Sequence, residues 1–163
     1  MMKIRKATAE DIDTVESLYN DICDYLADKE FNPGWRKGYF PAREDAVEYL
    51  EADGLYLADA NGMPVGSIAL SQDPDEKDIL FIHTLVVHPK HLRHGYGTEL
   101  LRFAEQCARE QGLSSLRLHV YEKNSVAIQA YEHNGYNCID KVDIGLREYG
   151  LEWFYLYERR LDL

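Results

Sequence analysis

The chain has 163 residues, of which 45% are hydrophobic and 29% charged, ordinary values for one globular domain. Its formal net charge of −11 argues against a nucleic-acid-binding surface, which needs clustered Lys and Arg, and weakly favours a cationic or amine substrate. The cysteines are three in number and have no CxxC spacing, so neither a disulfide framework nor a metal site is expected.

The chain shows no feature that predicts contact with a membrane. No run approaches the ~20 apolar residues that span a bilayer, and no basic-then-apolar leader begins the sequence. A cytoplasmic protein is therefore expected. No repeat, low-complexity tract or linker interrupts the sequence, so we expect residues 1–163 to form a single domain.

Hydrophobic spacing predicts a strand, two helices and a hairpin in the first half of the chain. Thr8 and Asp11 form an acidic capping pattern at the start of the first helix. Asn61 and Gly62 are a strong signal for a two-residue hairpin turn. The predicted elements are a strand at 3–7, a helix from Thr8 to about Leu26, a loop at 31–41, a helix from 43 to about 52, and strands at 54–60 and 65–70.

The second half is organised around the nearly continuous apolar run at 79–87, which is typical of a central strand covered on both faces. Gly112 and Gly135 stand where glycine ends a helix. The remaining predicted elements are a loop at 88–93, a helix at about 95–111, a strand at 116–121, a helix at 124–134, and strands at about 138–144 and 152–159. The order predicts an α+β fold of three layers: a mixed, mostly antiparallel sheet of about seven strands with helices on both faces.

A glycine-containing loop, Leu92-Arg-His-Gly-Tyr-Gly-Thr98, joins the central strand to a helix. A helix N-terminus carries unpaired N–H groups and partial positive charge, and glycines let a diphosphate approach them closely. Residues 88–94 contain no acid, so Lys90 and Arg93 can face an anion without local repulsion. The alternative is that the two glycines only make the turn. No Gly-Lys-Ser/Thr follows, which excludes a Walker loop, and a position after the fourth strand disfavours a dinucleotide fold.

A second motif, Asn124-x-x-Ala-x-x-x-Tyr131-Glu-x-x-Gly-Tyr136, follows about 27 residues later. Asn124 can cap the helix, and Ala127 and Tyr131 can lie on one face of that helix. Together with Val87-His-Pro89 and the Arg93–Gly97 loop, this helix resembles the GNAT superfamily of acyl-CoA-dependent N-acetyltransferases. The specific motifs cover about residues 79–136.

That resemblance implies acetyl-CoA as co-substrate, an amine as acceptor, and a sheet splayed between its fourth and fifth strands. The strand backbone at Leu85, Val86 and Val87 would bond the pantetheine arm, and Asn124 and Ala127 would contact it from the helix. The diphosphate would lie on backbone amides of Arg93, His94, Gly95, Tyr96, Gly97 and Thr98. The family usually carries Gln or Arg at the position of Leu92, and Arg93 is expected to supply that polarity.

Acetyl transfer to an amine requires a base for the ammonium and an acid for the departing thiolate. The resemblance implies that Tyr131 is the acid; its alternative is a core aromatic. His83 and His119 compete as base, because imidazole titrates near neutral pH. Either could instead be a hydrogen-bonded core histidine, or hold a water that relays the proton. Direct transfer without a covalent enzyme intermediate is expected.

The acceptor is not readable from the sequence. Trp35 and Tyr39 are candidates to wall its pocket, or to pack the first two helices together. Glu30, Glu44 and Asp45 are candidates to hold a cationic substrate. The aromatic C-terminal strand, residues 153–157, is a candidate for pairing across a homodimer. A non-catalytic acyl-CoA-binding sensor on the same fold is the main alternative to an enzyme.

Overall fold

A computed structural model describes residues 2–73 and 75–161, with strands and helices in the predicted order. The strands are β1 (Met2–Lys6), β2 (Leu55–Ala60), β3 (Met63–Gln72), β4 (Ile79–Val87), β5 (Ser115–Tyr121), β6 (Asn137–Val142) and β7 (Phe154–Arg160). The helices are α1 (Ile12–Leu26), α2 (Arg43–Glu51), α3 (Tyr96–Glu110) and α4 (Ser125–His133). Within the described ranges, no helix has the length and apolarity to cross a membrane.

The strands form one seven-stranded sheet in the order β1-β2-β3-β4-β5-β7-β6. Only β4 and β5 are parallel; every other neighbouring pair is antiparallel. Asn61 and Gly62 join β2 to β3 with φ angles of 53° and 78°. A type I′ turn needs positive φ at both positions, which explains the residues found there. The predicted mixed, mostly antiparallel sheet is confirmed.

Two apolar cores lie on opposite faces of this sheet. α1 and α2 cover one face, where α1 buries the stripe that includes Val15, Leu18 and Ile22. α3 covers the other face with Leu100, Leu101, Ala104 and Ala108. β4 supplies one core with Val86 and the other with Leu80 and Ile82. Side chains alternate along a uniform strand, which would place these three even-numbered residues on one face, so an irregularity between Ile82 and Val86 must move Val86 to the opposite face. The predicted three-layer arrangement is confirmed.

The two parallel strands separate after a short paired stretch. Residues Ile79–Phe81 pair with Ser115–Arg117, and no later residue of β4 pairs with β5. A bulge accompanies the separation: Val86 lies opposite Ser67 and His83 opposite Ala69, so Thr84 and Leu85 together face one residue of β3. Bulges bend a strand and increase its twist. The predicted splay between the fourth and fifth strands is confirmed.

The C-terminal strand β7 lies inside the sheet, between β5 and β6. Its backbone groups are therefore already paired on both sides, and Phe154 and Tyr157 are buried. The expectation that this strand could pair across a homodimer is wrong in that respect. The spacing of hydrophobic residues predicts that a segment is a strand, but it does not predict which strands lie beside it. The interior position of β7 therefore could not be predicted from the sequence.

Candidate functional site

The turn between β4 and α3 presents a row of main-chain donors. Arg93 and Gly95 have left-handed φ angles of 67° and 79°, which turn the chain just before α3 begins. Within the described ranges, the N–H groups of residues 93–98 donate to no protein acceptor. A Cβ at Gly97 would meet only Val87 Cγ2, at 4.0 Å. This first helical turn can therefore hold a diphosphate on backbone groups alone.

Two histidines hold the turn in this shape. Lys90 N–H donates to His88 Nδ1 at 3.1 Å, so the ring proton lies on Nε2, which donates to Asp21 Oδ2 of α1 at 2.9 Å. His94 Nδ1 lies 3.0 Å from the carbonyl oxygen of Leu92 and must donate, since a carbonyl only accepts. Lys90 and Arg93 are exposed and form no ion pair with any described residue. The cationic side chains thus remain available to an anion.

The apolar side of the cleft is formed by β4 and α4. The bulge turns Leu85 and Val87 toward the α3 core, where they pack with Ala127 and Tyr131 of α4. Asn124 caps α4, because Ala127 N–H donates to its side-chain oxygen at 3.3 Å. The cap prediction is confirmed, and the side-chain NH2 group of Asn124 donates to no described residue. Leu85, Val87 and α4 thus line the side of the splay that faces α3.

The Tyr131 hydroxyl has the properties of a proton donor. The ring is half-buried against the α3 core and lies 6.0 Å from the ring of Tyr136. Its hydroxyl makes no hydrogen bond with any described residue, although the ring itself is packed. Burial raises the pKa of Tyr131 to about 12. The group is therefore protonated at every assay pH and free to bond a ligand.

The two candidate bases lie together on the opposite face of the sheet. The ring of Phe81 lies 5.5 Å from His83 and 5.0 Å from His119, between the two imidazoles. His83 Nε2 is 2.6 Å from Ser71 Oγ, whereas His119 is exposed and has no side-chain hydrogen bond in the described chain. Burial, and then the charge of His119, lower the pKa of His83. Although His119 is exposed, partial loss of water around its ring lowers the pKa of that residue as well. Both rings are thus neutral, proton-accepting groups near neutral pH.

Tyr49 of α2 is a site residue that sequence reasoning missed. Its ring stacks on His83 at 5.8 Å, and its hydroxyl is 2.8 Å from Thr84 Oγ1. Thr84 has a φ of 25°, a conformation that a β-branched residue avoids unless its surroundings hold it. Tyr49 therefore supports both the imidazole and the bulge. No sequence signal marks it, because α2 and β4 meet only in the folded chain.

We expect Tyr49→Phe to keep the ring stack and remove the bond to Thr84. The unfolding free energy should fall by about 1 kcal/mol, and kcat should fall roughly tenfold as the bulge relaxes. Urea melts and steady-state kinetics measure the two effects. Tyr39→Phe is the matched control, since Tyr39 is 75% exposed. An unchanged kcat in Tyr49→Phe would show that the hydroxyl does not position the site.

The residues that the sequence suggested as contacts of the acceptor lie in different environments in the structure. Trp35 packs against the α1–α2 core, which favours its packing alternative, while Tyr39 is exposed beside Arg36. Asp45 accepts from Ala42 N–H at 2.8 Å and so caps α2. Glu30 and Glu44 are exposed. Within the described residues, none of these carboxylates forms a hydrogen bond or ion pair with the histidine pair. In the described ranges, no three His, Cys, Asp or Glu side chains are arranged to hold a metal ion.

Comparisons with known proteins agree on one family. The profile of the "Acetyltransferase (GNAT) family" matches residues 17–136. An aminoalkylphosphonate N-acetyltransferase of Salmonella typhimurium is 32% identical over 82% of this chain and 84% of its own. An uncharacterized N-acetyltransferase of Methanocaldococcus jannaschii is 27% identical over 82% of this chain, which spans only 59% of that relative. The crystal structure of PaiA N-acetyltransferase from Thermoplasma acidophilum with coenzyme A superposes with a TM-score of 0.75, at 22% identity and 99% coverage of both chains.

Proposed function

This chain belongs to the acetyltransferase (GNAT) family, a family of acetyl-CoA-dependent N-acetyltransferases, and we propose that it transfers the acetyl group of acetyl-CoA directly to a primary amine. The observation that carries the proposal is the splay between β4 and β5, with unpaired donors of α3 at its mouth and the free Tyr131 hydroxyl beside it. We further propose that residues 1–163 act as one catalytic unit, since one sheet carries both cores.

The two faces of the sheet divide the chemistry. Tyr131, Leu85 and Val87 lie on the α3 side, where the diphosphate donors also lie. The histidine pair lies on the α2 side, next to Tyr49. The two sides communicate through the gap that opens beyond Phe81. A thioester placed in this gap would meet the acid on one side and the amine with its base on the other.

The proposed step balances with these groups and water. A histidine, or a water that it holds, takes a proton from the ammonium, and the neutral amine nitrogen attacks the thioester carbonyl. The carbon–sulfur bond breaks as the amide forms, and Tyr131 O–H gives its proton to the thiolate. The nitrogen loses its second proton to water, and water reprotonates the Tyr131 phenolate, so the net products are the amide, the CoA thiol and one proton. Positioned proton transfer contributes typically ~10²–10⁴-fold, and alignment of two bound substrates contributes at least as much.

Calorimetry with acetyl-CoA, followed by a free-thiol assay over an amine panel, tests the proposal. The panel should contain aminoalkylphosphonates, because a relative is named for that acceptor. We expect micromolar binding and thiol release that depends on the amine. Binding without release over the whole panel would favour the acyl-CoA sensor. Absence of binding at millimolar acetyl-CoA would contradict both.

The pH profile of kcat/KM should carry an acid limb below pH 6.5. The folded-state pKa of the histidines lies below their ordinary value, so the base stays neutral, and activity stays full, down to that lower pKa. Activity is lost only as pH falls through it. His83→Gln or His119→Gln, but only one of them, should remove the limb. The profile is measured with two amines of different pKa. A limb caused by ionisation of the amine moves with the pKa of the amine, whereas a limb caused by a histidine of the enzyme stays in place. A limb that survives both substitutions excludes both histidines as base.

A further inference from the structure

Two loops meet above the acceptor side of the sheet. Gly34, in the loop between α1 and α2, touches Leu151, in the connection between β6 and β7: a Cβ at position 34 would lie 2.5 Å from Leu151 Cδ1. Gly34 also has a φ of 85°. Any larger residue would therefore clash and be strained, so glycine permits this close approach. We call this pair the 34–151 contact.

Each loop is held in place independently of the other. In the first, the Asn32 side-chain oxygen accepts from Gly34 N–H at 2.8 Å, and its amide donates to Leu26 O at 2.9 Å. In the second, Arg147 pairs with Glu152 at 3.1 Å and lies over the ring of Trp153 at 5.1 Å. The 34–151 contact therefore joins two structured segments, and closing it costs little additional conformational entropy.

The second loop is tied to the strand that carries His119. Tyr121 O–H donates to Gly150 O at 3.3 Å, one residue before Leu151. Tyr121 stands two residues after His119 on β5, so both side chains point to the same face. The first loop reaches the same face, because Trp35 packs in the α1–α2 core. Both segments that form the 34–151 contact are thus attached to the face on which the histidine pair lies.

We propose that the 34–151 contact closes the acceptor site over the histidine pair and restricts the acceptor to small primary amines, excluding the N-termini of peptides and proteins. The inference rests on the proposed acetyl transfer. A peptide must extend away from its amine as a continuous chain, and two loops in van der Waals contact leave no open groove for it. The rings of Tyr49, Phe81, His83 and His119 form one aromatic cluster on this face, and Tyr121 joins the same strand as His119 to the second loop.

The aromatic and imidazole rings of this cluster fit an amine that has an apolar body. The aromatic rings supply contact area and can face an ammonium group with their negative π surface. The histidines are neutral when the amine binds and do not repel it. The Arg117 side chain of the same strand forms an ion pair with Glu158 at 2.7 Å. Its positive charge is therefore compensated by this carboxylate.

Leu151→Ala tests the proposal, with Ile144→Ala as the matched control in the same connection. Ile144 is 41% exposed, and the three atoms nearest to a Cβ at Gly34 all belong to Leu151. Two substrates are compared, benzylamine and a tetrapeptide with a free N-terminus. We expect the unaltered chain to acetylate benzylamine only. In Leu151→Ala, kcat/KM for the tetrapeptide should rise about tenfold or more relative to benzylamine, the scale of one removed steric contact. Ile144→Ala should behave as the unaltered chain.

A second measurement does not depend on turnover. Thioether conjugates of CoA with benzylamine and with the tetrapeptide are titrated by calorimetry. The unaltered chain should bind the first tightly and the second no better than CoA alone, and Leu151→Ala should bind both. Equal affinity for the two conjugates in the unaltered chain, or an unchanged ratio in Leu151→Ala, would overturn the size restriction while leaving acetyl transfer intact. Failure of CoA itself to bind would instead overturn the proposed function and this inference with it.

Discussion

Tyr131→Phe should lower kcat by about 100-fold or more while leaving the affinity for acetyl-CoA nearly unchanged. The ring would keep its packing against the α3 core, so only the hydroxyl is lost. That hydroxyl bonds no described residue, and burial holds its pKa at about 12, so removing it should not cost stability. The thiolate would then have to leave without a proton. Single-turnover kinetics and calorimetry separate the chemical step from binding.

Tyr136→Phe is the matched control for this experiment. Tyr136 lies next to Tyr131, is buried to 2% exposure, and its hydroxyl has no hydrogen-bond partner among the residues that the structure describes. Removing an unsatisfied buried hydroxyl should be neutral or stabilising. We expect its kcat to equal that of the unaltered chain. If Tyr131→Phe retained full kcat, the acid would have to be another group, and Tyr131 would be a packing residue.

Gly97→Asp should weaken acetyl-CoA binding by about 100-fold, because like charges brought together cost several kcal/mol and ~1.4 kcal/mol corresponds to a factor of ten. The carboxylate would stand among the donors of the first turn of α3, where the diphosphate is expected. The fold has room for it, since only Val87 Cγ2 lies near the Cβ position, at 4.0 Å. An acid in a first helical turn adds about 0.3–1 kcal/mol of stability.

Lost binding in Gly97→Asp therefore cannot be ascribed to unfolding, and thermal melts verify this. Gly97→Asn has nearly the same size without the charge, so it should bind acetyl-CoA more tightly than Gly97→Asp, and the difference between the two affinities measures the electrostatic part of the loss. Raised salt should recover part of the loss in Gly97→Asp and change Gly97→Asn little. Equal affinity of all three chains for acetyl-CoA would show that the diphosphate does not lie on this turn.

Much of the site was readable because its signals are local. The glycine loop, the cap at Asn124 and the helix-ending Gly112 and Gly135 each act within a few residues of chain. Gly112 and Gly135 have φ angles of 72° and 89°, which glycine adopts without strain. The helices that follow the glycine loop and Asn124 are amphipathic, and the spacing of their hydrophobic residues shows this in the sequence. These features place the donor turn and the Tyr131 helix.

The bulge in β4 was not readable. Residues 79–87 have the pattern of a uniform strand, in which Leu85 would share a face with Phe81 and His83. The bulge shifts the alternation by one residue, so Leu85 and Val87 join the α3 core while His83 stays on the α2 side. Its support comes from Tyr49, which is 35 residues away from Thr84 in the sequence. A threonine with positive φ carries no signal of its own.

Long-range pairs were missed for the same reason. His88 is joined to Asp21 across 67 residues, and Leu151 reaches Gly34 from the far end of the chain. These contacts depend on how α1 and the loops are brought over the sheet. The interior position of β7, which leaves this strand no free edge for pairing with a second chain, likewise follows from sheet order.

By itself, the sequence determined the order of the elements, the glycine-containing turn before α3 and the helix of Tyr131, because hydrophobic period, glycine conformation and helix capping act over neighbouring residues. Only the tertiary structure decided which face each histidine occupies, what supports the bulge and which loops contact each other. Those properties arise from side chains that are distant in sequence, and their contacts exist only once the sheet has formed and the loops have packed on it.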